Sequence, residues 1–291
     1  MPTISITGQA ENASREMIGA ARFAAEQNTP SYGLVSRFRL GKGEDTGVFP
    51  KFAQVSLTQR TEGEDITDEQ DLGLTTVSAA TNIYGAKLIL TNRLLRQNVA
   101  TNWQTVGRQL GNGYKRIRET EIQGLFTGLN GGTQYGAAGA AFSAANVTAV
   151  VSTAKTNLVG EDLVILHHPN AVMRLARDLA TVGSGQIRPL PEGFSARMLG
   201  KAWKGFSIWD VPVFESGLLT RDSSDDASGV IMDKDAIGFL EEVPFQTKKE
   251  EDISIAGGGW EFVAQSEFAA FEYDDTRGVS LLYDAVNPAT S

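Results

Sequence analysis

The residues with the greatest chemical reach in this 291-residue chain are two adjacent histidines, His167 and His168, with Asp162 and Asp178 nearby in sequence. A histidine beside a carboxylate is common material for a general base. In DLVILHHP, however, the pair ends an apolar run that reads as a buried strand, and neighbouring strand residues point to opposite faces. The two rings cannot serve one site, so packed or hydrogen-bonded histidines at a strand end are expected. DSSDDASG at 222–229 and DKDAIG at 233–238 gather carboxylates as calcium loops do, but neither continues to a glutamate at the twelfth position between helices. Both read as solvated turns. GNGYKR at 111–116 has the glycines of a phosphate loop without its Gly-Lys-Ser/Thr ending, and lies inside a helical pattern. There is no GxGxxG after a strand, no HExxH and no GxSxG. The absence of cysteine excludes thiolate chemistry, disulfides and Cys-ligated metals, and two histidines cannot make a three-histidine site. No catalytic, cofactor-binding or metal-binding residue is therefore assigned.

Charge is more informative than motif. The net charge of -9, from 35 acids and 26 bases, disfavours a dedicated nucleic-acid binder but not a protein that only encloses nucleic acid. Acids crowd one stretch, with Glu44, Asp45, Glu62, Glu64, Asp65, Asp68, Glu69 and Asp71 set against Lys51 and Arg60. Arg93, Arg96, Arg108, Lys115, Arg116 and Arg118 then follow with no acid among them. The first group predicts an acidic tip and the second a basic helix side, able to pair between subunits. The beginning of the sequence lacks the charge and apolar pattern of a signal peptide, and the uncharged run 128–151 is too polar to span a bilayer, so synthesis in the cytoplasm without a membrane partner is expected.

The elements that would position these charges have distinct periods. Met17, Ile18, Ala21, Phe23, Ala24 and Ala25 predict a short amphipathic helix over 11–27, unable to bury its own stripe and so bound to dock on something. GVFPKFAQVSLTQR and TTVSAATNIYGAKLIL alternate as two strands around the acidic tip, a ribbon too poor in apolar residues to stand alone. A helical stripe of Leu95, Val99, Trp103, Val106, Leu110, Tyr114, Ile117, Ile122, Leu125 and Phe126 predicts one long helix over 92–129. Gly107, Gly111 and Gly113 mark a bend or close crossing in it. Leu95, Trp103, Leu110, Ile117 and Leu125 should line its buried side. NGGTQYGAAGAAFSAANVTAV reads as a small-residue connector with turns, 162–167 as a strand and 170–180 as a helix. A loop-dominated stretch near 182–199 and shorter strands follow to the end of the chain, giving an α+β tally.

In this order the segments resemble the tailed-bacteriophage major capsid protein family of the Hong Kong 97 type over nearly the whole chain. DLVILHHPNAVMRLARDLA is similar to that family's strand, His-Pro turn and helix; FSIWDVPVFES resembles its Pro-Val strand, and WEFVAQSEFAAFEYDDTRGVSLLYDA its two closing strands. The resemblance implies an N-terminal arm at 1–31, an extended β-ribbon loop at 32–88 and a peripheral domain with a spine helix at 89–159. It further implies an axial domain at 160–262, and closing strands returning through the peripheral domain at 263–291. It implies pentamers and hexamers in an icosahedral virion shell around double-stranded DNA, assembled in the host cytoplasm, with contact to the DNA that is nonspecific. A portal protein and a decoration protein are implied partners. The family's long helical scaffolding segment is not seen at the start of this sequence, which implies a separate scaffolding protein or assembly without one. The type member crosslinks an extended-loop lysine to an asparagine; Lys51 is the one lysine between Gly43 and Ala86 and has no asparagine partner in the pattern, so crosslinking is not expected. Ring contacts would fall on the axial loops, with Arg188 and Arg197 facing Asp222, Asp225 or Asp226 of a neighbour. An encapsulin-like compartment around protein cargo would share this fold, and a soluble enzyme is the remaining class.

Overall fold

The computed structural model describes residues 30–41, 44, 46–52, 57–63, 65, 73–92, 101–158, 160, 162–181, 206–208, 211–252, 254 and 258–287, with backbone alone at 101–106, 179–181 and 206. Among the described residues there are three sheets. The four-stranded one runs β1 (Ser36–Arg39), β10 (Ile237–Asp252), β11 (Gly259–Glu272), β4 (Asn82–Thr91). The six-stranded one runs β5 (Gln134–Ala141), β12 (Gly278–Asp284), β9 (Asp226–Met232), β6 (Val164–His167), β8 (Val211–Glu215), β7 (Phe206–Ile208). β2 (Thr46–Lys51) and β3 (Thr75–Ala80) pair as an antiparallel ribbon, Thr46 opposite Ala80. The helices are α1 (Pro30–Gly33, a single turn), α2 (Thr101–Gly124), α3 (Ala144–Asn157) and α4 (Pro169–Thr181).

Period-2 geometry explains why the central strands are apolar throughout. In β6, Ile165 faces a core shared with Val147, Val151 and Leu175 of α3 and α4, while Leu166 faces a second core with Ile122 and Phe126. In β9, Ile231 joins the first core, Val230 and Met232 the second. The six-stranded sheet is thus covered on both faces. The second core extends to the four-stranded sheet, where Tyr114 stacks on Phe245 at 4.7 Å and meets Phe268 edge-on at 5.8 Å. At the far end of β11, Phe268 belongs to that core, whereas Phe271 faces a third cluster with Leu240, Ala79 and Phe49 of the ribbon.

The long helical pattern materialises as α2 over Thr101–Gly124, shorter at its end than the expected 129; turns follow to Asn130, Gly131 and Gly132, which take positive φ of 56°, 63° and 76°. Leu110 is buried and Ile117 and Leu125 are half-buried, as their spacing requires; the side chain of Trp103 and all of Leu95 lie outside the described residues. Gly107 and Gly111 are buried, but Gly113 faces open space, so the close-crossing reading does not extend to it.

The small-residue connector is in fact structured. β5 pairs in parallel with β12 from Ser280–Gln134 onward, and α3 starts at Ser143, whose hydroxyl accepts from the Asn146 amide at 3.3 Å. Sheet membership also crosses the expected segment boundaries. β1 and β4, at either end of 32–88, are integral strands of the four-stranded sheet, leaving only β2 and β3 as free ribbon. β5 and α3 precede residue 160 and β12 follows 263, yet all three build the six-stranded unit. The 11–27 helix and the whole 182–199 loop fall outside the described residues.

Candidate functional site

Among the described residues no group of three or more His, Asp and Glu is placed to hold a metal, and no helix is long and apolar enough to cross a membrane. His167 is fully buried, its ring stacked on Phe142 at 4.7 Å. The amide of His168 donates to its Nδ1 at 2.9 Å, which places the ring proton on Nε2. Burial, with His168 alongside, pushes its pKa down to about 3, so it is neutral and structural. His168 is likewise a local acceptor: its Nδ1 takes the Asn170 amide at 3.2 Å at the start of α4, and burial and Arg221 lower its pKa.

What the surface offers is interaction. At the ribbon tip Glu62 and Asp65 are exposed, as expected of an acidic tip; Glu64, Asp68 and Glu69 lie outside the described residues. Of the basic set, Arg108 and Arg116 are exposed on α2, and Arg93 and Arg96 lie outside the described residues. Arg118 is different. It is 6% exposed, its guanidinium 3.7 Å from the Tyr32 ring and 5.2 Å from that of Tyr114, so it fastens α1 to α2 and is withdrawn from any neighbour. The signal was present in sequence: 110, 114, 118, 122 and 126 repeat at four residues, which puts Arg118 on the buried stripe.

The acids of the 221–229 stretch bond within their own chain, Asp222 and Asp225 at the exposed surface and Asp226 buried. Asp222 Oδ1 accepts from the amides of Ser224 at 2.8 Å and Asp226 at 2.9 Å, and Asp225 pairs with Arg221 at 2.9 Å. Asp226 is buried and accepts from the Gly139 amide at 2.8 Å, so it cannot meet a neighbour's arginine; its work is to fix β5 against β9. Arg188 and Arg197 lie outside the described residues.

Two polar assemblies were invisible to sequence reasoning because their members are far apart in the chain. Glu119 Oε1, in the buried joint between α1, α2 and β8, accepts from Ser31 Oγ at 2.7 Å, Gln123 Nε2 at 3.0 Å and Ser216 Oγ at 3.1 Å. Lys51, at the end of β2, pairs with Asp274 at 2.5 Å; Arg277 holds Asp274 at 3.2 Å and Asp233 at 2.8 Å. Burial disfavours the charged form of Asp274, but the Lys51 ammonium and the Thr276 donors outweigh it and hold the carboxyl below the usual range.

Apolar residues are exposed on the ribbon and beside it: Val48, Phe52, Leu57, Leu74 and Ile83, with Leu57 97% exposed.

No protein-family model matches this sequence, and no curated protein matches it. Solved structures do match over most of their length. The capsid of Ralstonia phage GP4 is 14% identical, covering 91% of this chain and 90% of that one with a TM-score of 0.67. The head structure of Helicobacter pylori bacteriophage KHP40 is 12% identical, covers 87% of each chain and has a TM-score of 0.64. The holo-SrpI encapsulin complex from Synechococcus elongatus is 11% identical, covers 91% of each chain and has a TM-score of 0.58. The likeness extends over about nine-tenths of each chain, and the chain has the Hong Kong 97-like capsid fold.

Proposed function

We propose that this chain is the structural subunit of a tailed-bacteriophage capsid, self-assembling through pentamers and hexamers into an icosahedral shell around packaged double-stranded DNA, without catalytic turnover. The observation that carries this reading is the agreement of fold from end to end with phage capsid and head structures, about nine-tenths of both chains being covered in the Ralstonia phage match. On this reading the ribbon is the extended loop that reaches a neighbour, its acidic tip near Arg108 and Arg116 of that neighbour. The six-stranded unit is the axial domain around the vertices. A separate scaffolding protein and a portal protein complete assembly in the host cytoplasm, a decoration protein is an optional addition, and contact with DNA is nonspecific, in keeping with the net charge of -9.

Negative-stain microscopy of the purified full-length chain, alone and with the scaffolding protein of its own genome, tests this. Closed isometric particles are expected; a small species under all of these conditions overturns the proposal. The likeness to an encapsulin supports a second reading, a compartment around protein cargo. Particles recovered from native lysates separate the two, since nuclease-sensitive DNA after opening belongs to the first and a stoichiometric co-purifying protein to the second.

A further inference from the structure

The chain crosses between its two large sheets at two described corners, residues 233–236 from β9 to β10 and 273–277 from β11 to β12. Arg277 grips both corners at once, through Asp233 at 2.8 Å on the first and Asp274 at 3.2 Å on the second. The corners are also tied through backbone, with the Asp233 amide donating to Arg277 O at 2.8 Å and the Tyr273 amide to Ala236 O at 2.9 Å. The ribbon joins the same assembly, because Lys51 at the end of β2 is bonded to the Asp274 carboxylate that Arg277 holds. Asp274 is 14% exposed and Asp233 11%, so these charges are partly shielded from water and from salt.

We propose that Asp233, Arg277, Asp274 and Lys51 form a mechanical relay that couples the orientation of the ribbon to the packing of the two sheets against each other. A change at the corners reorients Arg277 and with it Asp274, the charged anchor of the ribbon; a pull on the ribbon acts in reverse through Lys51. The aromatic seat of the ribbon, Phe49 stacked on Phe271 at 4.9 Å and against Phe38 at 4.5 Å, resists sliding through contact and meets the first corner by a separate route, through Tyr273, whose amide donates to Ala236 O at 2.9 Å. The Asp233 carboxylate is joined to Lys51 through the ionic chain, alongside the backbone bond from its amide to Arg277 O. The inference goes beyond the shell reading and concerns the subunit whatever it assembles into.

The test is hydrogen exchange of the β2–β3 amides in the full-length chain, with wild type and variants compared in the same assembly state. Lys51→Met keeps the aliphatic stem and removes the anchor, and should lower ribbon protection about fivefold, the change equivalent to about 1 kcal/mol. Asp233→Asn is the decisive variant, since Asp233 has no contact with Lys51. It should lower protection of the ribbon by a comparable factor, while amides of β6 within the six-stranded sheet stay as in wild type. Loss of protection throughout the chain would mean a folding defect, in which case Arg277→Lys, which keeps the charge but loses the two-carboxylate fork, must release the ribbon alone for the relay to stand. Ribbon protection unchanged in Asp233→Asn or Lys51→Met, with the fold intact, overturns it.

Discussion

Acid should destabilise this subunit in large part through His167. The unfolded chain takes up its proton near the ordinary value of 6.5, whereas the native chain resists protonation until about pH 3 because the ring is enclosed. The native state's preference for neutral His167 is therefore fully expressed above pH 6.5, and its contribution is lost as pH falls towards 3. A tenfold change in proton affinity is worth about 1.4 kcal/mol, so the whole interval amounts to about 5 kcal/mol, of which about 2 kcal/mol is already lost at pH 5. The comparison protein is His167→Asn, whose Oδ1 can take the place of Nδ1 as acceptor for the His168 amide. Urea midpoints measured from pH 8 to pH 4 should fall more steeply in wild type than in the variant, whatever the offset between them at pH 8. His168 and the carboxylates are common to both proteins, so the difference in slope isolates one ring. Equal slopes, or a His167 proton resonance titrating above pH 5 in the native state, would refute the reasoning.

The other expectations concern backbone fit and charge. Gly136 has φ of 87° and an added Cβ would lie 2.5 Å from Leu282 O, so Gly136→Ala should cost roughly 2 kcal/mol or more in thermal unfolding; Gly139→Ala, at φ of 71° with open space around it, should cost about 1 kcal/mol. Arg118→Met should lower stability by about 1 kcal/mol through loss of the contacts with Tyr32 and Tyr114, with little dependence on salt. Arg116→Gln should leave unfolding within about 0.5 kcal/mol of wild type yet flatten the salt dependence of assembly followed by light scattering. Glu62→Gln with Asp65→Asn should flatten it likewise; a salt response identical to wild type would show that the ribbon tip meets no cation.

Pattern was legible where one face of an element is buried against a continuous core. Val164–His167, Pro169–Thr181 and the paired strands from 226 to 284 follow from periods of two and about 3.6, and the histidines were readable as structural because strand neighbours diverge. β5 was not legible, since Gln134–Ala141 consists mainly of glycine and alanine and becomes a strand only because β12 supplies a ladder and Gly136 admits the Leu282 carbonyl. Arg118 and Asp226 were misplaced for a common reason: a charged residue reads as surface by type, and only its position on a buried stripe or beside an orphan amide overrides that. The relay from Lys51 to Asp233 joins residues far apart in sequence, and short-range spacing carries no trace of such pairs.

The two faces of the ribbon differ in how they are covered. Alternation sends Phe49 and Val77 down onto Phe271 and Leu240, and the same alternation sends Val48 outward, 61% exposed, with Phe52 and Leu74 exposed towards the tip. One face of the ribbon packs on its own chain, and the other carries exposed apolar side chains among the described residues. Ile83, 72% exposed on β4, continues that surface along the free edge of the four-stranded sheet. Apolar residues placed in this way on a long exposed edge are an aggregation hazard in a monomer and a contact in an ordered assembly. The acids at the tip reconcile the two. In the shell proposed above they would keep free subunits apart by like-charge repulsion and favour an approach that brings the tip to a basic surface, where the apolar face is covered.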